Sequence, residues 1–281
     1  MNIDDLVKPI AARLAFGEIV PYLGPGVLPA DVQVPGNPVA LAHWLAAKVS
    51  VPFKLKTNLT GAAQYIENFK HRKTLTKLMT EAFAPVTTPM PLHEFIAGLP
   101  CCPLVVHMWY DATLANAFAH RSDWSAVQGL SQAEHFGTWT GVYTAEGTLS
   151  NSEHIQTTLL YQPLGCAWPS QNFLVSDSDF VEVMTEIDIQ TPIPQEVQQR
   201  RKGKSFLFLG CRFNDQMSRT FARQIMKRSS NEHWAVLPDE LTRNERRFIE
   251  EQNIRPIVTP LDTFIAQLTS EKREVFSSRA A

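Results

Sequence analysis

Two periods of apolar spacing run along this chain, and the places where one gives way to the other mark its elements. In residues 3–17 the apolar Ile3, Leu6, Val7, Ile10 and Leu14 recur at helical spacing, which predicts an amphipathic helix. The run Ile19-Val20-Pro21-Tyr22-Leu23 stops at Gly24-Pro25-Gly26, the pattern of a buried strand entering a tight turn. A loop rich in Pro and Gly over 27–38 precedes a helix at about 38–49, and 60–83 reads as two helical pieces. Pro85, Pro89 and Pro91 break that pattern; a short helix over 92–99, a strand at 104–108 and a helix at 112–119 follow. A further helix is expected at 178–187, then a linker around Thr191-Pro192-Ile193-Pro194. Beyond it strands at 204–209, 233–237 and 254–258 alternate with helices at 215–228, 240–252 and 261–269.

Short buried strands alternating with helices predict a parallel sheet covered on both faces. With right-handed crossovers this is an α/β fold, a Rossmann-like, doubly wound parallel sheet. The stretch 121–172 differs: it is rich in Gly, Ser, Thr and Trp with short β-prone runs, and is expected to be an inserted irregular smaller lobe or an edge sheet within a single domain of residues 1–281. Trp124, Trp139 and Trp168 fall in it, as core of the lobe or as interface anchors.

Composition narrows the function classes. Hydrophobic residues are 44% and charged residues 19% of the chain, enough apolar surface for a sizeable core. A net charge of −2 supplies no field that would draw the chain to nucleic acid or to an anionic membrane. The first residues carry acids and no basic-then-apolar signal pattern, and no run approaches the length of a membrane span, so a cytoplasmic protein is expected. Cys101, Cys102, Cys166 and Cys211 form no Cys-x-x-Cys pair; no zinc or other metal site is expected, and the thiols read as reduced and mostly buried. Arg200-Arg201-Lys202 with Lys204 reads as a solvated helix end, and Arg243, Arg246 and Arg247 among Glu240, Glu245, Glu250 and Glu251 as an exposed salt-bridged helix face.

Three stretches place polar groups just past the carboxyl end of a buried strand, where open α/β sheets bind ligands: 19–27, 104–114 and 205–215. Alone, Gly24-Pro25-Gly26 is more often a plain turn than a phosphate cradle. Taken in order with their neighbours, these stretches resemble the sirtuin family, and particularly its bacterial sirtuin-like NAD-hydrolase branch. The colinear elements are Gly24-Pro25-Gly26; Val34-Pro35-Gly36-Asn37-Pro38 leading to a helix with Trp44; the segment from Pro91 and His93 to Leu99-Pro100; and His107-Met108-Trp109-Tyr110-Asp111. Pro163-Leu164-Gly165, then Asp177 and Asp179-Phe180, and finally Phe208-Leu209-Gly210-Cys211-Arg212-Phe213-Asn214-Asp215 complete the set, which covers most of residues 15–265.

The resemblance implies that NAD or ADP-ribose is bound by Gly24, Pro25, Gly26, Trp109, Asp111, Gly210, Asn214 and Asp215. It also implies a reactive asparagine and a general-base histidine, and here those positions hold Trp109 and Leu164, neither of which is an acid or base near neutral pH. Pro25 in the phosphate turn lacks an N–H. His107 is a weak candidate for a replacement base, expected on the same strand face as Trp109; His93 reads as structural, and nothing organises His135 and His154 into a site. Three functions follow as expectations. One is a catalytically degenerate sirtuin-like protein that binds NAD or ADP-ribose, or acts through a protein partner or self-association. The second is an NAD hydrolase (an NAD glycohydrolase) of bacterial antiviral defence using His107 or a residue of the middle segment. The third is an assembly protein without a nucleotide, its cleft plugged by Trp109.

Overall fold

The computed structural model describes residues 3–29, 31–151, 155–189, 193–238 and 240–277. Thr191 and Pro192 of the expected linker, and His154, lie outside them. The apolar runs become strands β1 (Ile19–Leu23), β2 (Leu104–His107), β3 (Trp124–Gly129), β4 (Thr140–Thr144), β5 (Leu149–Ser150), β6 (Thr158–Gln162), β7 (Gly165–Cys166), β8 (Asn172–Phe173), β9 (Ser205–Leu209), β10 (His233–Leu237) and β11 (Ile254–Val258). Nine of them form one sheet in the order β11-β10-β9-β1-β2-β6-β3-β4-β5. From β11 to β3 every neighbouring pair is parallel; β3–β4 and β4–β5 are antiparallel.

The helices are α1 (Ile3–Ala15), α2 (Pro38–Lys48), α3 (Leu59–Lys70), α4 (Arg72–Ala82), α5 (Pro91–Ala97), α6 (Thr113–Ala117), α7 (Ala133–Phe136), α8 (Asp177–Ile189), α9 (Gln195–Arg201), α10 (Gln216–Met226), α11 (Arg243–Glu251) and α12 (Leu261–Ser277). Their starts are written in side chains. Asn37 caps α2 by accepting from Ala40 N at 2.9 Å, with Pro38 at the first helical position where a missing N–H costs nothing. Asn58 caps α3 by accepting from Gly61 N at 3.1 Å. Thr242 and Glu245 form a reciprocal capping box on α11.

Strand alternation sends residues to two cores. Val20, Tyr22, Val106, Tyr161, Phe206 and Phe208 meet α2, α3, α4, α8, α9, α10 and α11 on one face. Ile19, Leu23, Val105, Leu160, Leu207 and Leu209 meet α1, α5, α6 and α12 on the other. The doubly wound, Rossmann-like α/β fold expected from the pattern is therefore what forms.

Most of the middle stretch joins the main sheet. β3 and β6 continue the parallel sheet beside β2, and β4 and β5 make its antiparallel edge, so of lobe and edge sheet it is the edge sheet that residues 124–162 build. Trp124 is buried core; Trp168 is half-exposed. Among the described residues only β7 and β8 pair apart from the main sheet. The basic run is a solvated helix end at Lys202, which is exposed, but not at its two arginines. Arg201 is 2% exposed and donates to the carbonyls of Gln224 and Ile225, while Arg200 donates to Pro103, Thr157 and Gln156. Nor is Glu245 on an exposed face: it is fully buried and takes two bonds from Arg212 at 2.6 and 2.8 Å. Burial opposes its ionisation, but Arg212 and Thr242 prevail and lower its pKa to about 2.

Candidate functional site

The chain leaves β1 for β2 on one side and returns to β9 on the other, so the carboxyl end of β1 is the topological switch point where such sheets open a crevice. The sequence places Gly24-Pro25-Gly26 there, and the structure brings Gly210 against it. Gly24 N donates to Leu209 O at 2.8 Å and Gly26 N to Gly210 O at 2.9 Å. A Cβ on Gly24 would lie 2.5 Å from Gly210 O, and Gly210 itself has a φ of +64°, where a side chain is strained. Val27 N closes back on Gly24 O at 3.3 Å. Pro25 has no N–H to offer. The glycines thus serve the approach of two backbones, and the turn's donors are committed to the protein; the residues present do not fit a pyrophosphate cradle.

Beyond β9, Asp215 caps α10. Its carboxylate accepts from Ser218 N at 2.8 Å and from the Ser218 hydroxyl at 2.6 Å. A carboxylate on a helix N-terminus occupies the place an anion would take. Asn214 beside it is exposed.

Trp109 is 2% exposed. Its Nε1–H donates to Pro35 O at 2.8 Å, and its ring meets Phe83 edge-on at 6.0 Å and Tyr110 at 4.9 Å. Tyr110 in turn donates to Leu174 O at 2.7 Å. Leu164, on the turn after β6, is buried in the same apolar cluster. The two positions that the resemblance assigns to the reactive pair are therefore packed core.

His107 and Trp109 do not share a face. β2 ends at His107, the chain turns, and Trp109 joins the α2–α4 side while His107 stays on the α5–α6 side. There His107 is one link of a buried polar chain that crosses the carboxyl ends of β3, β6 and β2. Ser170 N donates to Gln128 Oε1 at 3.2 Å, and Gln128 Nε2 donates to Trp168 O at 2.8 Å and to Gln162 Oε1 at 2.7 Å. With Gln128 pinned by backbone groups at both ends, Gln162 turns its Nε2 to His107 Nδ1 at 3.4 Å. A Gln162 amide donating to Nδ1 favours the tautomer with its proton on Nε2, which lies 3.2 Å from Asp111 Oδ2 but without a well-aligned hydrogen bond. Asp111 Oδ1 accepts from Thr113 N at 2.9 Å, and the Thr113 and Thr87 hydroxyls meet at 2.6 Å.

Burial alone would raise the Asp111 carboxyl. The electrostatic pull and Nε2–H of His107, with the N–H and hydroxyl of Thr113, outweigh it and hold the group well below the ordinary carboxylate range. His93, wholly buried on α5, accepts from Met90 N through Nδ1 at 3.3 Å, and its Nε2 has no partner. Burial drops its pKa to about 4, against the pull of Asp111. Cys102 and Cys166 are both pushed up to about 12 by burial, which makes them poor nucleophiles.

Gln128, Gln162 and Thr113 were not singled out from the sequence. The available signal was a polar residue at or near the end of each of two buried runs, Gln128 and Gln162, which register pairs side by side. A cavity of about 680 Å³ lies between the 83–87 loop, α6, the β4–β5 turn and residues 167–171. Of the site residues named from the sequence, Asp111 alone lines it. Among the described residues no three His, Cys, Asp or Glu side chains gather as metal ligands, and no helix is long and apolar enough to cross a membrane.

Residues 103–257, more than half of the chain, match the family model described as SIR2-like domain. A solved chain described as "Structural Basis for the Mechanism and Regulation of Sir2 Enzymes" is similar over 97% of this chain and 99% of that one, at 12% identity and a TM-score of 0.48. No curated protein matches the chain.

Proposed function

The chain belongs to the SIR2-like domain family, and from that premise we propose that it is a non-catalytic member, its strand-end cleft closed by its own residues, that acts as a scaffold through a protein partner or self-association. The observation that carries this reading is the fate of the cleft's donors. Gly24 N and Gly26 N are bonded to the β9 turn, Pro25 has none, and the Trp109 indole is bonded to Pro35 O in the core. A nucleotide at these strand ends has to displace protein–protein hydrogen bonds, and a buried group left unpaired costs about 1–3 kcal/mol.

The rival is the NAD hydrolase with His107 as base. Against it stands the buried chain from Ser170, which favours an accepting Nδ1 and a protonated Nε2, with the ring wholly buried. A general base needs a free lone pair within reach of its proton.

The test is incubation of the purified protein with NAD, nicotinamide release being followed by chromatography, beside thermal titrations with NAD and ADP-ribose. The expected result is no release and no rise in melting temperature, since a ligand that binds the native state must stabilise it. Release that is lost on His107→Ala overturns the reading in favour of the hydrolase. A melting shift without release returns the protein to the class of nucleotide binders.

A further inference from the structure

The cavity beside α6 has no part in the reading above, and none of Gly24, Pro25, Gly26, Trp109 and Gly210 lines it. Its volume, about 680 Å³, is that of a small-molecule site. Three aromatic rings line it, Phe83, Trp124 and Trp168, with the two indoles 6.3 Å apart. At its mouth stand the half-exposed Trp168 and Val86, which is 89% exposed. Apolar side chains left in water around a concavity are a mark of a binding surface.

Charge selects the occupant. Three charged residues line the cavity: Asp111, Arg121 and Glu146. The Arg121 guanidinium is spent, donating to both carboxylate oxygens of Asp123 at 2.8 and 2.9 Å, to Thr158 Oγ1 at 2.8 Å and to Ala97 O at 2.8 Å. Asp111 Oδ2 stands 3.2 Å from His107 Nε2 without a well-aligned hydrogen bond, so its charge is only partly offset. Glu146 lies exposed at the rim. The uncompensated charge is therefore negative. Behind low-dielectric walls the field of a buried carboxylate reaches across such a space without direct contact. Anions are repelled, and a strongly hydrated metal ion gains nothing from apolar walls. A weakly hydrated cation clothed in methyl or methylene groups satisfies both the field and the aromatic faces.

We propose that this cavity is a binding site for a small free organic cation of the alkyl- or quaternary-ammonium class, read by the Trp124–Trp168–Phe83 wall and the Asp111 and Glu146 carboxylates. The probes are choline and its uncharged isostere 3,3-dimethylbutan-1-ol, titrated by tryptophan fluorescence and calorimetry on the full chain. Choline is expected to bind at millimolar or lower concentration, about tenfold more tightly than the isostere, the margin shrinking with added salt. Trp168→Ala, at a half-exposed position, is expected to weaken choline at least about fivefold. Glu146→Gln, fully at the surface, is expected to narrow the preference for the cation. Equal affinity for the two probes overturns the proposal, as does choline binding untouched by Trp168→Ala or absent at tens of millimolar. Co-sedimentation with phosphatidylcholine vesicles without binding of free choline also overturns it, by moving the ammonium to a lipid surface. Because nucleotide is absent from every arm, failure here leaves the scaffold reading standing.

Discussion

Trp109 stands where an asparagine is expected for chemistry, and its surroundings explain why an indole can be kept there. Phe83 and Tyr110 pack its ring and Pro35 O takes its one donor, so a large aromatic is buried without an orphaned N–H. Trp109→Ala is expected to cost about 3–5 kcal/mol of stability, as for other large aromatics truncated in a core, measured by urea unfolding. His93 makes the opposite bargain. It is wholly buried with Nε2 unpartnered, and burial holds its folded pKa at about 4, below the ordinary histidine value of 6.5. The unfolded chain therefore takes up the proton first as pH falls. The contribution is fully present above about pH 6.5, declines between there and pH 4, and is lost below, roughly 3 kcal/mol in all. Asp111, whose folded pKa is also depressed, adds a loss of the same sign at lower pH. Unfolding midpoints measured from pH 7 to pH 4 should fall steeply in the native protein. They should fall less in His93→Asn, whose side-chain oxygen keeps the acceptor for Met90 N.

At the scale of elements, single arginines do much of the joining. Arg72, at the start of α4, reaches Asp179 on α8 at 2.7 Å and Glu67 on α3 at 3.2 Å, and also donates to Phe173 O. Asp179 is 3% exposed and gathers Val175 N and Ser176 N besides. Removing the cation leaves a buried carboxylate uncompensated, so Arg72→Met is expected to cost about 3 kcal/mol, and Asp179→Asn in the same chain to recover part of that. A double-mutant cycle by chemical unfolding measures the coupling. Hydrophobic period located most of the helices and the strands β1, β2, β9, β10 and β11, since each buries one stripe or one run, but β3 to β8 fell in or at the end of the stretch 121–172 that read only as short β-prone runs. It did not locate α9, whose Gln195–Arg201 sequence has one buried apolar side chain, Val197, and is held instead by arginine-to-carbonyl bonds from Arg200 and Arg201. Those bonds join segments far apart in the chain, and no local pattern announces them.

Over the whole molecule, the sheet is most secure where it is parallel and covered on both faces. Hydrogen exchange is expected to be slowest in β1, β2, β6 and β9 and fastest in β4, β5 and β11, which carry the edges; uniform protection across the sheet would contradict this ordering. The sequence by itself determined the α/β class, the limits of β1, β10 and β11, and the places where glycine and polar groups follow a buried strand. These are local matters of period, chain stiffness and turn chemistry, and the segment resemblance rests on the same stretches. Tertiary structure alone decided what those groups do. It set Gly24 against Gly210, so that donors suited to a phosphate are spent on backbone. It carried Trp109 and His107 to opposite faces, because β2 stops one residue too soon for alternation to hold. It laid Gln128, Gln162, His107 and Asp111 in one buried chain, because strands whose partners are 34 residues apart (Trp124 and Thr158) and 55 apart (Leu104 and Leu159) became neighbours in register. Hydrogen-bond partners are chosen by proximity in space, and the order of residues along the chain does not carry that information.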